Sequence, residues 1–531
     1  MSSPNARRAR APLLPASTAL MSPWGAFVYN ALTMGVIFPW IFVVGPGVFP
    51  NGNVILGIGL GILLQLPLAL SYSSLATVLP STGGDYSYQS RTLGQGIGFV
   101  VVFSGLVLWV LQWLAISGWM ITSLGISPLL LSLGIITRNP ELTHWGLIVQ
   151  EPLAVAIISI VFAGAATIML IRGFHVYLRL QSLIFILTLL ATLLMILLFL
   201  STGHQDFVRQ FNSFAYDLMG RKDLYHQILI TAHREGWAPL AKGDFWSSLA
   251  IAPVAWINLQ WCTYSVEQGS EVRNNGRLLT NVKVMTGSLL FIGATLMLLA
   301  RAENHAATHQ FLSAFSYLYM RNPTIGPLRP FPGLLALTLT RNPWVTIAIS
   351  CGFIANSFQI YANSYTGVTR ILAKMADDRV LPRWIGERHP RYNTLANAHL
   401  AYFFAGVIWI AIYNLYPYGI RYTLDVVFAN GYVFVVSAGI AAMLVPYRLS
   451  REWAAAPVPH GTFLEVPWIT WVGGLSMATG GFMLGMLLFD QNYGVSTPLP
   501  FSLMTGLILL ALVIYMLRKS LRVLNSAPSD K

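Results

Sequence analysis

The chain has 531 residues, of which 55% are hydrophobic and only 10% charged, against about 25% charged in an ordinary soluble domain. That balance excludes a soluble globular protein and makes the chain a polytopic α-helical membrane protein. A net charge of +13 would suggest nucleic acid in a soluble fold; here lysine and arginine lie in loops and tails, where they orient helices, so no nucleic-acid partner is expected.

The tail 1–21 carries Arg7, Arg8 and Arg10 ahead of an apolar run broken by Pro12, Pro15, Ser17 and Thr18, which is no signal-peptide core. Ser22 to Val44 holds no Asp, Glu, Lys, Arg or His. At about 1.5 Å rise per residue it spans a hydrocarbon core of roughly 30 Å. Its middle is a poor helix. Asn30 and Thr33 are polar, Gly35 has little helix propensity, and Pro39 lacks the N–H that would reach back to Gly35. The stretch reads either as a broken transmembrane helix whose break lines a binding site or as a proline-kinked structural helix.

Eleven more spans follow, near 53–79, 97–124, 152–171, 177–200, 246–267, 283–300, 343–368, 395–416, 423–446, 466–489 and 498–517. With twelve spans and a cytoplasmic N-terminus, about two-thirds of the 32 lysines and arginines fall inside. The densest cluster is Arg370, Lys374, Arg379, Arg383, Arg388 and Arg391, and most of the remainder lies in two long outer loops, 201–245 and 301–342. The asymmetry places both termini, 1–21 and 518–531, in the cytoplasm. Cys262 and Cys351 fall inside spans and give no disulfide or zinc framework.

Between spans two and three runs Pro80-Ser-Thr-Gly-Gly-Asp-Tyr-Ser-Tyr-Gln-Ser-Arg-Thr-Leu-Gly94. Gly83 and Gly84 permit a tight turn, and Tyr86 and Tyr88 suit a membrane interface. The segment resembles the P-x-x-G-G-x-Y-x-Y-x-x-R-x-x-G signature of amino acid permeases in the amino acid-polyamine-organocation (APC) superfamily. Two later segments resemble that family in order. Gln268-Gly-Ser-Glu-Val-Arg-Asn-Asn-Gly-Arg277 is similar to its G-E-V-K-N-P-x-R loop, and Arg370-Ile-Leu-Ala-Lys-Met-Ala-Asp-Asp-Arg-Val-Leu-Pro382 to its R-x-L-Y-A-M-A-x-D-G-x-L-P stretch. The resemblance covers residues 21–446.

It implies an all-α membrane protein with a LeuT-like core of ten helices, 22–446, built as two inverted repeats of five, 22–200 and 246–446. Helices 1 and 6 are broken, and helices 11 and 12 follow at 466–517. It also implies a secondary transporter of the cell membrane that imports a neutral or small zwitterionic amino acid by alternating access. Residues 246–267 fit the broken sixth helix, with Pro253 in the first half and Asn258, Gln260, Cys262 and Thr263 in the second. There are departures from the family pattern: only Gly35-Val-Ile-Phe38 survives of the helix-1 glycine run, and Trp261-Cys-Thr263 replaces the usual G-F-E or G-F-D.

Backbone N–H groups from about Val36 to Phe38 would take a carboxylate, and carbonyls near Thr33, Asn258 and Leu259 an ammonium. The expected substrate set is Thr33, Met34, Gly35, Val36, Gln112, Asn258, Gln260, Cys262, Asn356 and Gln359. Span eight repeats Ser350, Ser357 and Ser364 every seven residues, beside Asn356, Gln359 and Asn363, a stripe that suits either a pocket or interhelical packing. Thr188 stands where some proton-coupled relatives carry lysine. Thr33, Thr188, Ser357 and Ser364 would then serve a coupling sodium ion as hard-oxygen ligands. The alternative is that these hydroxyls bond helix carbonyls and a proton couples through Asp85, Glu267 or Asp425. Glu271, beside Arg273 and Arg277, is expected to hold the loop after span six, with Gly83 and Gly84 as conformational positions. No catalytic constellation, metal site or cofactor motif is visible. The expected partners are an amino acid, Na+ or H+, and the lipid bilayer, with polyamine transport or a non-transporting membrane sensor as the alternatives.

Overall fold

The computed structural model describes residues 20–36, 40–239, 243–321, 326–415, 431–493 and 498–526, with backbone alone at 498–500 and 522–526. Arg7, Arg8, Arg10, the Ile37–Pro39 part of the expected break and Asp425 lie outside the described residues.

Ser22 starts the first helix, α1 (Pro23–Met34): its side chain accepts from Gly25 N at 3.0 Å, and Pro23 fills the first turn. The helix ends where Gly35 takes φ 78°, a left-handed value that a side chain resists. Helix resumes as α2 (Trp40–Val48). The first expected span is therefore two helices. α3 (Val54–Val78) follows, capped by Asn53.

Next comes a short helix, α4 (Gly84–Thr92), entered through Gly83 at φ 63°. Tyr86 and Tyr88 on it are fully buried, which corrects the interfacial placement expected from their residue type. The following span is much longer than its expected 97–124. It runs Gln95–Thr137 as α5 and contains two π-helical stretches, Phe103–Leu108 and Ile121–Ile126. Each takes up extra residues without ending the helix, and the apolar run continues past position 124.

α6 (Pro140–Ile148), α7 (Pro152–Arg172) and α8 (Phe174–Ser201) complete the first half. The loop expected at 201–245 folds into two amphipathic helices, α9 (His204–Met219) and α10 (Leu224–Arg234). They dock on α13 (His309–Arg321) from the second long outer segment, through Phe207, Phe211, Tyr225 and Phe311. Tyr225 and Phe311 stack at 4.3 Å between centroids, so the two long loop segments pack into one ordered unit.

Asp244 caps α11 (Phe245–Leu259) by accepting from Ser247 N at 2.9 Å. These hydrogen bonds hold its carboxyl below the usual range. From Gln260 to Glu267 the chain tightens into a 3-10 helix. α12 (Leu278–Ala307), α14 (Pro332–Thr338), α15 (Pro343–Asp377) and α16 (Ala396–Leu415) follow. α15 extends past the expected end at 368, so Arg370 and Lys374 are helical rather than in a loop. The remaining helices are α17 (Gly431–Arg448), α18 (Ser450–Ala455), α19 (Trp468–Phe489) and α20 (Pro498–Ser526).

Among the described residues ten helices are long and apolar enough to cross a membrane: α3, α5, α7, α8, α12, α15, α16, α17, α19 and α20. The interrupted segments α1/α2 and α11/260–267 stand outside that count. α1 packs on α12, on residues 260–267 and on α15, so the two interruptions face one another in the core. α7 and α8 turn Leu153, Ile157, Val161, Leu183, Ile186 and Leu193 outward, as a lipid-facing surface requires. α20 is the most peripheral, with 11% of its apolar window buried.

Candidate functional site

The backbone at the first interruption is held by its neighbours. Asn30 Oδ1 accepts from Ser265 N at 2.8 Å, which ties α1 to the 3-10 segment just before the break. Tyr29 stacks on Tyr264 with centroids 6.0 Å apart, and its hydroxyl accepts from Gln268 Nε2 at 3.1 Å and donates to Asn363 O at 3.1 Å. One turn on, Thr33 Oγ1 donates to Tyr29 O at 2.6 Å.

Asn363 of α15 is the hub of this region. Its Nδ2 donates to Thr33 Oγ1 at 2.6 Å and to Tyr29 O at 3.2 Å. Its Oδ1 accepts from Gln359 Nε2 at 2.9 Å and from the Tyr177 hydroxyl of α8. Gln359 also donates to Tyr177 at 2.9 Å. Three helices therefore share one buried amide, and the sequence-expected Thr33 and Gln359 meet through it.

The other expected residues are distributed as follows. Met34 and Val36 are buried on either side of Gly35. Cys262 is fully buried, and so is Gln65 of α3. Asn258 and Gln260 are buried where α-helix gives way to 3-10 helix, and Gln112 is buried on α5 beside Trp113, which meets Trp261 edge-on at 6.3 Å. Asn356, Ser357 and Ser364 are buried on α15. Thr188 donates to Ile184 O of its own helix at 2.8 Å and makes no hydrogen bond to the Asn363 hub.

What unites this region is unmet polarity. Asn30 Nδ2, both polar atoms of Gln65 and of Gln260, Gln112 Nε2, Asn258 Nδ2, Asn356 Oδ1 and Ser357 Oγ are buried with no hydrogen-bond partner among the described residues. In a membrane core each such group carries a cost of about 1–3 kcal/mol until something pairs with it. All of these groups are neutral, so the arrangement can hydrogen-bond a polar ligand but supplies no fixed charge to it. Gln65 was not foreseen from the sequence, although a glutamine in the middle of span two is a usable signal. Tyr29 and Tyr177 were missed because tyrosine within a span looks like ordinary packing.

The segments flanking the two interruptions close on one another at one end of the bundle. Met21 pairs with the loop after residue 267, its N–H donating to Glu271 O at 3.0 Å and its O accepting from Arg273 N at 2.9 Å. Gly83 N donates to Glu267 O at 2.9 Å, and a Cβ on Gly84 would lie 2.7 Å from Val266 O. Gly84 is thus required by close approach to the end of the 3-10 segment, and Gly83 by its φ of 63° and by α15, where its Cβ would lie 3.0 Å from Lys374 Cβ. Glu271 forms a largely buried ion pair at 3.0 Å with Arg370, from the last turns of α15, rather than with the neighbouring Arg273 or Arg277. The Arg370 guanidinium also lies 4.8 Å over the Phe174 ring. Beside this pair is a cavity of about 150 Å³, lined by Leu20, Phe174, Arg388 and His399 among others. Among the described residues no three His, Cys, Asp or Glu side chains come together to hold a metal.

The family model for amino acid permeases matches residues 24–513. No curated protein matches the chain. Among solved structures, the crystal structure of MhsT in complex with L-phenylalanine is similar at 15% sequence identity and a TM-score of 0.49, over 87% of this chain and 97% of that one.

Proposed function

The chain belongs to the amino acid permease family, and we propose that it carries a neutral or small zwitterionic amino acid by alternating access, coupled to an ion gradient. It is an integral membrane transporter rather than an enzyme. The observation that supports this substrate class is the set of unpaired, uncharged polar atoms on α1, α3, α5, α11, residues 260–267 and α15. A zwitterion brings its own charges. Its carboxylate would take backbone N–H groups after Gly35, Val36 first among them, and its ammonium would take carbonyls near Thr33, Asn258 and Leu259. Met34, Gln112, Gln260, Cys262, Asn356 and Gln359 would line the side-chain pocket. A polyamine would need acidic residues there, and the unpaired groups are amides and hydroxyls. Uptake into proteoliposomes of a panel of labelled amino acids tests the reading: saturable uptake of neutral amino acids is expected, and transport of organic dications alone would overturn it.

The twelve-span plan belongs to the same proposal: repeats over 22–200 and 246–446, helices 11 and 12 over 466–517, and cytoplasmic tails 1–21 and 518–531 in the cell membrane. It is supported by the placement of the two interruptions in the first span of each half and by the bias of Arg and Lys toward the assigned inner loops.

The Asn363 hub bears on the coupling ion. Its amide already donates to the two α1 oxygens, Tyr29 O and Thr33 Oγ1, that a cation between α1 and α15 would use. Thr188 is spent on its own helix. Proton coupling is favoured over sodium held by Thr33, Thr188, Ser357 and Ser364. Replacing external sodium with choline at constant pH should leave uptake within about twofold, a change worth well under 1 kcal/mol. A collapse of uptake in choline would restore the sodium reading.

Glu271 acts on the gate rather than on the substrate. Removing one partner of a mostly buried ion pair costs roughly 3–5 kcal/mol when full, and about a third of that is a tenfold change in a gate equilibrium. Glu271→Gln should therefore change the exchange rate by about tenfold with nearly unaltered substrate affinity. Lost affinity with intact turnover would place Glu271 at the substrate instead.

A further inference from the structure

Asp85 and Glu267 are both buried to about 1% exposure or less. Asp85 sits in the first turn of α4 and Glu267 at the last position of the 3-10 segment. The two segments are locked together: Gly83 N donates to Glu267 O at 2.9 Å, Thr82 pairs with Gln268, and Asp85 N donates to the Glu267 carboxyl oxygen Oε1 at 3.3 Å, which brings the two acids side by side. Asp85 Oδ1 accepts from the Tyr72 hydroxyl at 2.5 Å, whereas Asp85 Oδ2 and Glu267 Oε2 find no donor among the described residues. A carboxylate can only accept, so two of them buried side by side without a cation are accommodated when one carries a proton.

The surroundings offer no substitute for that proton. Tyr72 of α3, Tyr88 of α4, Tyr264 of the 3-10 segment and Tyr29 of α1 are the titratable groups that feel these carboxyls. The Tyr88 hydroxyl is itself fully buried and unpartnered. Among the described residues no ion pair reaches either carboxyl. Arg370 and Lys374, on the α15 face that packs near α4, are each held at 3.0 Å by Glu271 and Asp378. Burial pushes the Asp85 carboxyl above its ordinary range.

We infer that Asp85 and Glu267 form a proton-binding site, which holds one shared proton while the cytoplasmic gate is closed and releases it to the cytoplasm when the gate opens. The inference rests on the alternating-access reading above. It follows from linkage. In the closed arrangement the pair binds its proton more tightly than separated, hydrated carboxyls do. The closed state is thus fully stabilised below the ordinary carboxyl range and loses that stabilisation as pH rises through the raised value. One proton released per opening changes the gate equilibrium by up to about tenfold per pH unit within that window. Binding the proton is the only chemistry required, and the water of the opened gate accepts it.

Two measurements on the purified full chain in lipid test this. The infrared C=O band of a buried protonated carboxyl should appear in the difference spectrum of wild type minus Glu267→Gln, and again with Asp85→Asn, because an amide supplies the donor that the proton supplied. Exchange of amino acid across proteoliposomes should rise with internal pH in wild type and become flat in Glu267→Gln, with substrate binding by that variant unchanged. Absence of the band overturns the proton site. A band with exchange that ignores internal pH, or a variant that keeps the wild-type profile, overturns its link to the gate. If wild type exchanges no amino acid at any pH, the transport reading and the gate linkage fail together, while the infrared band still decides whether the pair holds a proton.

Discussion

Replacing Gly35 with valine is expected to give a protein that reaches the membrane and transports at least about tenfold less than wild type, because the left-handed backbone costs a side-chain-bearing residue about 1–3 kcal/mol. Gly35 holds φ 78° and ψ 109° at the point where α1 stops, and its N–H closes the last turn by donating to Ala31 O at 3.1 Å. A β-branched residue there resists this conformation. The chain can relieve the strain by continuing α1 as helix, which pairs the backbone groups that the proposed carboxylate contact requires. The rest of the bundle makes its contacts elsewhere, so membrane insertion should be retained. Uptake by Gly35→Val near the wild-type rate would show that the interruption is only a kink. Gly35→Ala should fall between the two, since alanine shares the strain without the branch.

Asn363→Leu is expected to be the most destabilising single change in the core, by about 3 kcal/mol or more, since several buried groups lose their partner together. Leucine would take one partner from each of Tyr29 O, Thr33 Oγ1 and the Gln359 amide and would leave the Tyr177 hydroxyl without its acceptor. It would also remove the side-chain link between α1 and α15, leaving only the Tyr29 hydroxyl bond to the Asn363 carbonyl. Thermal unfolding in detergent measures this, with Thr192→Val as the control, because that hydroxyl bonds only a carbonyl of its own helix. A melting temperature for Asn363→Leu equal to that of the control would show that the hub is dispensable.

How much of this was legible in the sequence depends on the range of the interaction. The break at Gly35 could be read because its cause is local: glycine, proline and two polar residues within one apolar run. Span positions could be read for the same reason, and they were missed by most where π-helical stretches let α5 run on to Thr137. Pairings between distant segments could not be read. Glu271 finds Arg370 rather than Arg273 because the end of α15 returns beneath the 3-10 segment, a fact of tertiary structure that no spacing encodes. Asp85 and Glu267 each looked like an isolated acid near a membrane edge, and only the pairing of the α3–α4 turn with residue 267 makes them one site. Asn363 could be seen as one of several polar residues on span eight, but its four partners lie on three helices. The outer loops misled through length alone: amphipathic helices such as α9 and α10 are too polar to resemble spans and too ordered to be linkers.

The contrast between α5 and α20 also bears on how this sequence can drift. A Cβ on Gly118 of α5 would land on Ser159 Oγ and the Tyr361 hydroxyl, so neither a methyl group there nor a bulkier neighbour can be absorbed without moving α7 or α15. α20 is exposed along most of its length, and where lipid covers such a surface it conforms to any apolar side chain. Substitution there is constrained by hydrophobicity and length rather than by shape. Homologues should therefore diverge fastest at the C-terminal helix and slowest around Gly118, and a cysteine or fluorophore for spectroscopy is best placed on α20, where its size disturbs nothing that moves.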